Sequence, residues 1–269
     1  MRMRAQFAVW ASAALAILIS DGHRGIRAQA ADQLDMNHPL SFGMKDRRPA
    51  LLGCSERIVE IPFVHRNLPY PFRGRLLDVG YRESEIIYEV ASLGFDTWGI
   101  DIRPSVAEYP GVHYVQGDVI KYPFEAKSFD VVIALSTVEH IGLMAYGNSA
   151  KDPEGDLHAL QAIHRILKPT GRLLLTIPFG KRGATNWYRV YDQKALLALL
   201  KGSGFTAEIQ NCWTQEGIRW APAPWQKAEQ VDSITHHVKS VVCVVARPVQ
   251  KRVGLSTGSG PEEPVRSGE

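Results

Sequence analysis

Apolar residues in the middle of this 269-residue chain recur in two alternating patterns. Short continuous apolar runs, of which residues 129–135 are the clearest, are typical of strands buried on both faces of a parallel sheet. Runs with apolar residues three and four positions apart predict amphipathic helices. The predicted strands are 75–79, 97–102, 112–116, 129–135, 172–177, 206–213 and 240–246, and the predicted helices are 84–93, about 156–167 and about 192–201.

The connections between these elements predict how the sheet is built. We expect helices between the first five strands, and a strand–helix–strand order makes neighbouring strands parallel. No convincing helix separates the last two strands, because Pro222, Pro224 and Trp225 interrupt that segment. The chain is therefore predicted to form a mostly parallel α/β sheet that ends in an antiparallel hairpin.

The segments outside this domain differ from it in composition. Residues 1–31 have a basic start and a short apolar run, which fit a cleaved secretory leader, a membrane-surface anchor or an upstream extension of the true start. Residues 32–72 are polar at first and rich in turns, and predict a linker followed by an N-terminal lid segment. The main domain is expected at 73–247, and residues 248–269 have the composition of a disordered tail.

Charge and cysteine content narrow the possible functions. The net charge of +3 comes from residues 1–30, so the rest of the chain is neutral and no nucleic-acid partner is expected. Cys54, Cys212 and Cys243 form no CxxC pair, so we expect no metal site. Unpaired cysteines favour a reducing, cytoplasmic location, while weak membrane association through the N-terminus and a cleaved leader both stay open.

Two strand ends carry the chemistry of a nucleoside site. The first predicted strand ends in Asp78-Val-Gly80 and is followed at once by a helical pattern. The second ends in Trp98-Gly-Ile-Asp101. A glycine at such a turn lets the backbone approach a ligand, and an acid at the tip of the second strand can accept hydrogen bonds from a ribose diol. This unit predicts an adenosine-type cofactor.

The order of these motifs resembles the class I S-adenosylmethionine-dependent methyltransferases, in particular their type-11-like members, over about residues 73–247. The matching features are Asp78-Val-Gly80, Asp101, Gly117-Asp118, the strand opening at 128–132, the Ser136–Ile141 motif and the passage 165–178. The resemblance implies a Rossmann-like, seven-stranded, mostly parallel sheet with helices on both faces and a C-terminal antiparallel hairpin strand. It also implies S-adenosyl-L-methionine as the cofactor.

The resemblance assigns cofactor contacts to residues at the carboxyl ends of strands. These are Asp78 and Gly80 for the methionine portion, Asp101 for the ribose, Asp118 and Val119 for the adenine, and Ser136 for the methionine end, with Ile102 as a further cofactor contact. Arg82 stands where the family usually has a second glycine. Its side chain could swing outward, bind the cofactor carboxylate bidentately, or block the pocket.

The acceptor side is predicted from one histidine and one loop. His140 follows the strand at 129–135, so it is the candidate base for an acceptor hydroxyl, with a locally packed histidine as the alternative. The loop at 178–192 is aromatic and basic, and such loops often carry an acceptor site. Its candidate acceptor contacts are Arg182, Trp187, Tyr188 and Tyr191, with packing beneath the loop as an equal alternative for its aromatic residues.

These features predict a methyltransferase that O-methylates a small or sugar- or lipid-linked acceptor. A second hypothesis is a non-catalytic Rossmann-like binding module that has lost cofactor binding through Arg82. A third, a nicotinamide-dependent oxidoreductase, is disfavoured because the chain lacks the Gly-x-Gly-x-x-Gly turn that a pyrophosphate needs.

Overall fold

The computed structural model describes residues 37–105, 109–147, 151–235 and 237–249. The strands are β1 Leu40–Lys45, β2 Arg48–Cys54, β3 Arg75–Val79, β4 Asp96–Asp101, β5 Val112–Gln116, β6 Phe129–Leu135, β7 Leu167–Pro178, β8 Gly183–Ala184, β9 Arg189–Val190, β10 Phe205–Glu216, β11 Arg219–Ala223 and β12 Ser240–Pro248. The α-helices are α1 Arg57–Asn67, α2 Ile86–Leu93, α3 Gly155–Ile166, α4 Gln193–Gly202 and α5 Trp225–Ala228. The interpretations of residues 1–31 and of 250–269 lie outside the described residues.

Eight strands form the central sheet, in the order β11-β10-β12-β7-β6-β3-β4-β5. The five strands from β7 to β5 in that order run parallel to one another. The other three, β12, β10 and β11, are antiparallel to their neighbours. Six of the seven residues of β6 are buried, as its continuous apolar sequence predicts for a central strand. The predicted fold class is confirmed, with one strand more than expected.

Helices cover both faces of this sheet. Adjacent strand residues point to opposite faces, and Leu76 of β3 belongs to the core cluster that includes α1 and α2, while Leu77 belongs to the cluster that includes α3 and α4. The first turn of α4 is fixed by Asp192, whose carboxylate accepts the amide of Ala195 at 2.7 Å. Among the residues described, no helix combines the length and the apolar character needed to cross a bilayer.

Two details of the sheet differ from the prediction. The additional strand, β11, contains Pro222, which argues against a strand in the sequence but is tolerated because β11 lies at the edge of the sheet. The connections from β4 to β5 and from β5 to β6 contain no helix in their described residues, although helices were expected there. In the described residues β4 and β5 are therefore followed by turns, and these turns can line a site.

The segment predicted as a linker and lid contains regular structure. Residues 40–54 form a β-hairpin instead of a linker, because Asp46 and Arg47 adopt left-handed backbone angles, with φ of 51° and 63°, that suit a two-residue hairpin turn. Helix α1 then packs on the sheet through Phe63 and Val64. Its first residue, Arg57, reaches the cavity described below.

Candidate active site

A cavity of about 500 Å³ opens at the carboxyl ends of the parallel strands. This is where open α/β sheets place their ligands. The predicted site residues that line it are Gly80, Asp101, Ile102, Asp118, Val119, Ser136 and His140. Those that are not among its lining residues are Asp78, Arg82, Arg182, Trp187, Tyr188 and Tyr191.

Gly80 forms the tight turn between β3 and the helical turn that follows. Its φ of 79° is a left-handed conformation that favours glycine, and its amide donates to the carbonyl of Ile100 at 2.8 Å. A Cβ atom at this position would lie 2.5 Å from Oγ1 of Thr137. The backbone conformation and the available space therefore both require glycine here. As a result, the cavity is lined by backbone at this position.

Arg82 does not fill the cavity. It belongs to the helical turn Tyr81–Glu83, in which Tyr81 is buried and Glu83 lines the cavity. Arg82 is only partly buried and lies outside the lining. The obstruction on which the non-catalytic hypothesis depended is therefore absent from the described cavity.

Asp78 has an unmet hydrogen-bonding capacity beside Gly80. Its side chain is buried near the end of β3, and Oδ2 has no hydrogen-bond partner among the described residues. Burial raises its pKa to about 7, Asp101 adds to that rise, and Arg57 opposes it. A buried carboxyl oxygen without a donor fits the ammonium end of a methionine, which would supply both a donor and a positive charge.

Asp101 is largely occupied by Arg103. Oδ1 accepts the Arg103 amide at 2.9 Å and Nε at 3.0 Å, while Oδ2 accepts Nη2 at 3.0 Å. A carboxylate has about four acceptor positions, so about one remains for a ribose hydroxyl. Arg103 also bonds Glu83 at 3.0 Å, and its guanidinium lies 4.3 Å from the ring centre of Tyr146. Sequence reasoning missed this group of side chains.

The turn after β5, which holds the predicted adenine contacts, lines the cavity. The amide of Gly117 donates to the carbonyl of Asp101 at 2.8 Å, which holds the two strand ends together. Oδ1 of Asp118 accepts the amide of Ile120 at 2.9 Å. Its other oxygen lies 3.6 Å from Nζ of the exposed Lys121. That oxygen is free enough to accept a hydrogen bond from a ligand amine.

A buried ion pair lies beside Ser136, the predicted contact to the methionine end of the cofactor. Arg57 of α1 pairs with Glu60, and both are almost completely buried. Glu60 also accepts the hydroxyl of Ser136 at 2.6 Å, which fixes the loop after β6. Nε of Arg57 has no partner among the described residues, although Arg57 lines the cavity. The only sequence signal for this pair was its spacing of i and i+3, which places both side chains on one face of a helix.

His140 is held as a neutral imidazole on the cavity wall. Its Nδ1 lies 2.6 Å from the carbonyl oxygen of Trp187, which can only accept, so Nδ1 carries the proton and Nε2 has the free electron pair. Burial lowers the pKa of His140 to about 4; the Trp187 carbonyl raises it, and Arg57 is among the arginines that lower it further. Nε2 lies 3.8 Å from a carboxyl oxygen of Glu139.

The four predicted acceptor residues separate into different environments. Tyr191 is a core residue whose hydroxyl donates to buried Asp156 at 2.7 Å, which matches the packing alternative. The hydroxyl of Tyr188 donates to the carbonyl of Ser233. Trp187 is 46% exposed and its ring lies next to those of Tyr146 and His140. Arg182 is exposed on the same loop.

Arg189, which was not among the predicted site residues, holds the loop after β7 against the rest of the site. Its guanidinium donates to the carbonyls of Glu139 and Ile141 after β6, and to those of Asp152 and Pro153 before α3. Four carbonyl contacts from one planar group fix the position of His140 relative to the loop. A basic residue in a basic loop gave no sign of this role in the sequence.

Comparisons with known proteins agree with this geometry. Residues 77–175 match the family model of a methyltransferase domain. A curated relative, the demethylmenaquinone methyltransferase of Chlorobaculum tepidum, is 25% identical over 169 residues, or 60% of this chain and 62% of the relative. The chain thus spans about three fifths of that relative's length. These matches confirm the predicted resemblance to class I S-adenosylmethionine-dependent methyltransferases, the class whose cofactor is S-adenosyl-L-methionine.

Solved structures show the same fold. A Bacillus halodurans protein assigned as a methyltransferase superposes with a TM-score of 0.52 at 14% identity, covering 71% of this chain and 100% of that one. The phosphoethanolamine N-methyltransferase 2 of Haemonchus contortus, solved with phosphomonomethylethanolamine and S-adenosylhomocysteine, gives a TM-score of 0.50 at 17% identity, covering 72% of this chain and 53% of that one. At these identities the similarity concerns the fold alone.

Proposed function

We propose that this protein transfers a methyl group from S-adenosyl-L-methionine to the oxygen of a small or sugar- or lipid-linked acceptor. The observation that carries the proposal is the state of His140. Its ring is neutral, oriented by the Trp187 carbonyl and unprotonated at Nε2, and the residue lines a cavity of about 500 Å³. A base in that state can take the proton of an acceptor hydroxyl as the hydroxyl becomes a nucleophile.

The cofactor would be held by residues at the strand ends. Gly80 and Ser136 would contact the methionine portion, with Asp78 near its amino group. Asp101 and Ile102 would contact the ribose, and Asp118 and Val119 the adenine. We add Arg57, whose unpartnered Nε suits the cofactor carboxylate. When bound, S-adenosylmethionine supplies an electrophilic methyl group on a sulfonium centre.

The protein's own contribution is positioning and proton transfer. Arg189 and the Trp187 carbonyl fix the imidazole of His140, so the Nδ1 proton stays in place while Nε2 accepts a proton. Because burial lowers the pKa of His140 to about 4, the ring is unprotonated throughout the neutral range. Orientation of this kind contributes to rate without any rearrangement at the moment of reaction.

The acceptor would enter between the loop after β7 and the cavity. Trp187 offers an exposed ring face next to Tyr146 and His140, which suits a planar or sugar-ring acceptor. Arg182 would meet an anionic group on that acceptor. Tyr188 contributes its ring edge near His140. The names of the two similar proteins refer to demethylmenaquinone and to phosphoethanolamine, which differ from each other.

The first test is cofactor binding, measured by isothermal titration calorimetry with S-adenosylhomocysteine. Wild type is expected to bind, and Asp101→Ala is expected to bind roughly 100-fold more weakly. An absence of heat with wild type would refute the cofactor site. Turnover is then followed as formation of S-adenosylhomocysteine with a panel of phenols, quinols, sugars and phosphoethanolamine. Methylation of an amine or carbon acceptor only, with His140→Gln fully active, would contradict an oxygen acceptor.

We further propose a cytoplasmic location, with weak membrane association through the N-terminus. The isolated cysteines and the arginines of residues 1–30 support these two statements. Fractionation of cells that produce the full chain tests both. Recovery of a shortened, secreted form would contradict them.

A further inference from the structure

The β1–β2 hairpin presents an unusually exposed apolar surface. In β1 every second side chain lies on the same face, so Leu40, Phe42 and Met44 share one. Phe42 pairs with Leu51 and Met44 with Pro49, which places those two residues on the same face. Phe42 is 69% and Met44 66% exposed. These five residues form what we call the apolar hairpin face.

The turn of the hairpin is basic. It reads Lys45-Asp46-Arg47-Arg48, and all four residues are exposed. Lys45 and Arg48 stand directly opposite each other, an arrangement of like charges that destabilises a hairpin. Within the described residues no ion pair neutralises Lys45, Arg47 or Arg48. The turn therefore carries a net positive charge directed at solvent.

We propose that this hairpin docks onto an anionic lipid surface. The apolar hairpin face would insert among the acyl chains near the headgroups, and the three basic side chains of the turn would lie among anionic headgroups. The sequence that leads into the hairpin has the same two properties, since residues 1–30 hold four arginines and the apolar run 7–19. Apolar side chains next to basic ones suit an anionic lipid surface, where acyl chains lie beneath charged headgroups.

A second copy of this chain fits the surface less well. A two-fold contact pairs a surface with itself, so both basic turns would belong to the same interface. Asp46 is the only acid in the turn, and two copies would bring six basic side chains against two acids. An anionic lipid surface neutralises this charge, whereas self-association concentrates it.

The hairpin is anchored close to the cofactor cavity. The carbonyl of Cys54 accepts hydrogen bonds from Gln215 at 2.7 Å and Trp220 at 3.1 Å, so the base of the hairpin is fixed to the β10–β11 hairpin. Ahead of β1, the amide of Asn37 donates to the carbonyl of Glu83, which lines the cavity. Docking would hold the cavity next to the lipid. The docking itself does not depend on methyl transfer.

The apolar part is tested by vesicle sedimentation of the full chain. The vesicles are phosphatidylcholine with or without phosphatidylglycerol. The double variant Phe42→Ser/Met44→Ser is expected to bind the anionic vesicles roughly tenfold or more weakly than wild type. The matched control is Leu197→Ser/Ile209→Ser, two exposed apolar side chains elsewhere, 46% and 40% exposed. It is expected to bind like wild type.

The charged part is tested with Lys45→Gln/Arg48→Gln against the control Lys194→Gln/Lys201→Gln. Each lost charge near the surface is expected to weaken binding about fivefold. Wild type is expected to bind anionic vesicles more tightly than pure phosphatidylcholine. Equal binding to both vesicles, or hairpin variants that bind like wild type, would overturn the proposal.

Oligomeric state and cofactor binding complete the test. Light scattering after gel filtration is expected to give the same mass for wild type and Phe42→Ser/Met44→Ser. A change from dimer to monomer would assign the hairpin to self-association and overturn lipid docking. Calorimetry with S-adenosylhomocysteine is expected to be unchanged in every hairpin variant. Failure of the methyltransferase proposal and failure of docking are therefore distinguishable.

Discussion

Polar and charged side chains at the two ends of the parallel strands differ in whether they have hydrogen-bond partners within the chain. At the amino ends, a groove of about 420 Å³ contains Asp130, whose carboxylate accepts Nζ of Lys168 at 2.8 and 2.9 Å and the amide of Arg75 at 2.9 Å. Arg172 in the same groove donates to the carbonyl of Asn67 at 2.8 Å. Every one of these groups has a partner within the chain.

At the carboxyl ends, buried polar atoms lack partners. Oδ2 of Asp78, Oε2 of Glu139 and Nε of Arg57 have none among the described residues. Burial leaves the pKa of Asp78 at about 7 and raises that of Glu139 well above its usual value. Unmet hydrogen bonds in a buried site are unfavourable in the free protein and become favourable contacts once a polar ligand supplies the missing donors or acceptors. The difference separates the scaffold end from the ligand end.

The largest effect is expected at His140. His140→Gln is expected to lower kcat roughly 10²–10⁴-fold, because it removes the base. Affinity for S-adenosylhomocysteine is expected to stay close to that of wild type. The measurement is S-adenosylhomocysteine formation with an acceptor that supports turnover. In wild type the His140-dependent limb of the pH profile is expected near pH 4, the pKa that burial imposes, and a limb near the ordinary histidine value would contradict this.

The next effect concerns the strand-end acid. Asp101→Ala is expected to weaken S-adenosylhomocysteine binding by roughly 100-fold, since the ribose loses its acceptor and Arg103 loses its partner. Isothermal titration calorimetry measures it. The matched change at the amino ends, Asp130→Asn, removes an equally well-bonded carboxylate and is expected to leave the affinity unchanged. Equal losses in both variants would remove the distinction between the two ends.

Asp78→Asn is expected to show the energetic consequence of a carboxyl group without a partner. The folded pKa of about 7 lies above the unfolded value, so the folded state binds more protons between about pH 4 and 7. Wild type therefore loses stability through this group as the pH rises across that window. The neutral amide avoids this loss, and the variant is expected to gain roughly 2–4 kcal/mol relative to wild type at pH 8.

Urea unfolding of both proteins at pH 4.5, 6 and 8 provides that measurement, with these pH values chosen about the pKa of Asp78. His140 contributes a slope of opposite sign, because its folded pKa lies below the unfolded one. The difference between variant and wild type is therefore the quantity to compare. The same substitution is expected to weaken cofactor binding about tenfold, as the ammonium group loses a charged partner. A difference in stability that does not change with pH would refute the interpretation of Asp78.

The smallest effect is expected at Lys168. Its ion pair with Asp130 is about one third exposed, and exposed pairs contribute roughly 0–1 kcal/mol. Lys168→Gln is expected to lower stability within that range in urea unfolding and to leave cofactor affinity unchanged. A loss of affinity would mean that the groove at the amino ends is coupled to the cavity.

The sequence predicted the sheet and the strand-end residues because these depend on local patterns. The apolar run 129–135 predicted a buried strand, Gly80 was predicted to follow one strand and Asp101 to end the next, and the structure has all three. The residues that complete the site come from distant segments, as with Glu60 of α1, which accepts the hydroxyl of Ser136, and no local periodicity reports such a contact. Tyr191 is the opposite case, because the loop sequence made it a candidate site residue. In the structure it is a core residue whose hydroxyl donates to Asp156.

Arg103 has a consequence for how the cofactor arrives. Two of its donors fill Oδ1 of Asp101 and a third takes part of Oδ2, yet a ribose diol brings two hydroxyl groups to the same acid. Binding of the nucleoside therefore requires an exchange of hydrogen bonds: the Arg103 guanidinium must release Asp101 before both ribose hydroxyls can bond to it. We expect the observed rate constant of nucleoside binding to reach a plateau at high nucleoside concentration. The plateau value would be the rate constant with which the guanidinium dissociates from Asp101.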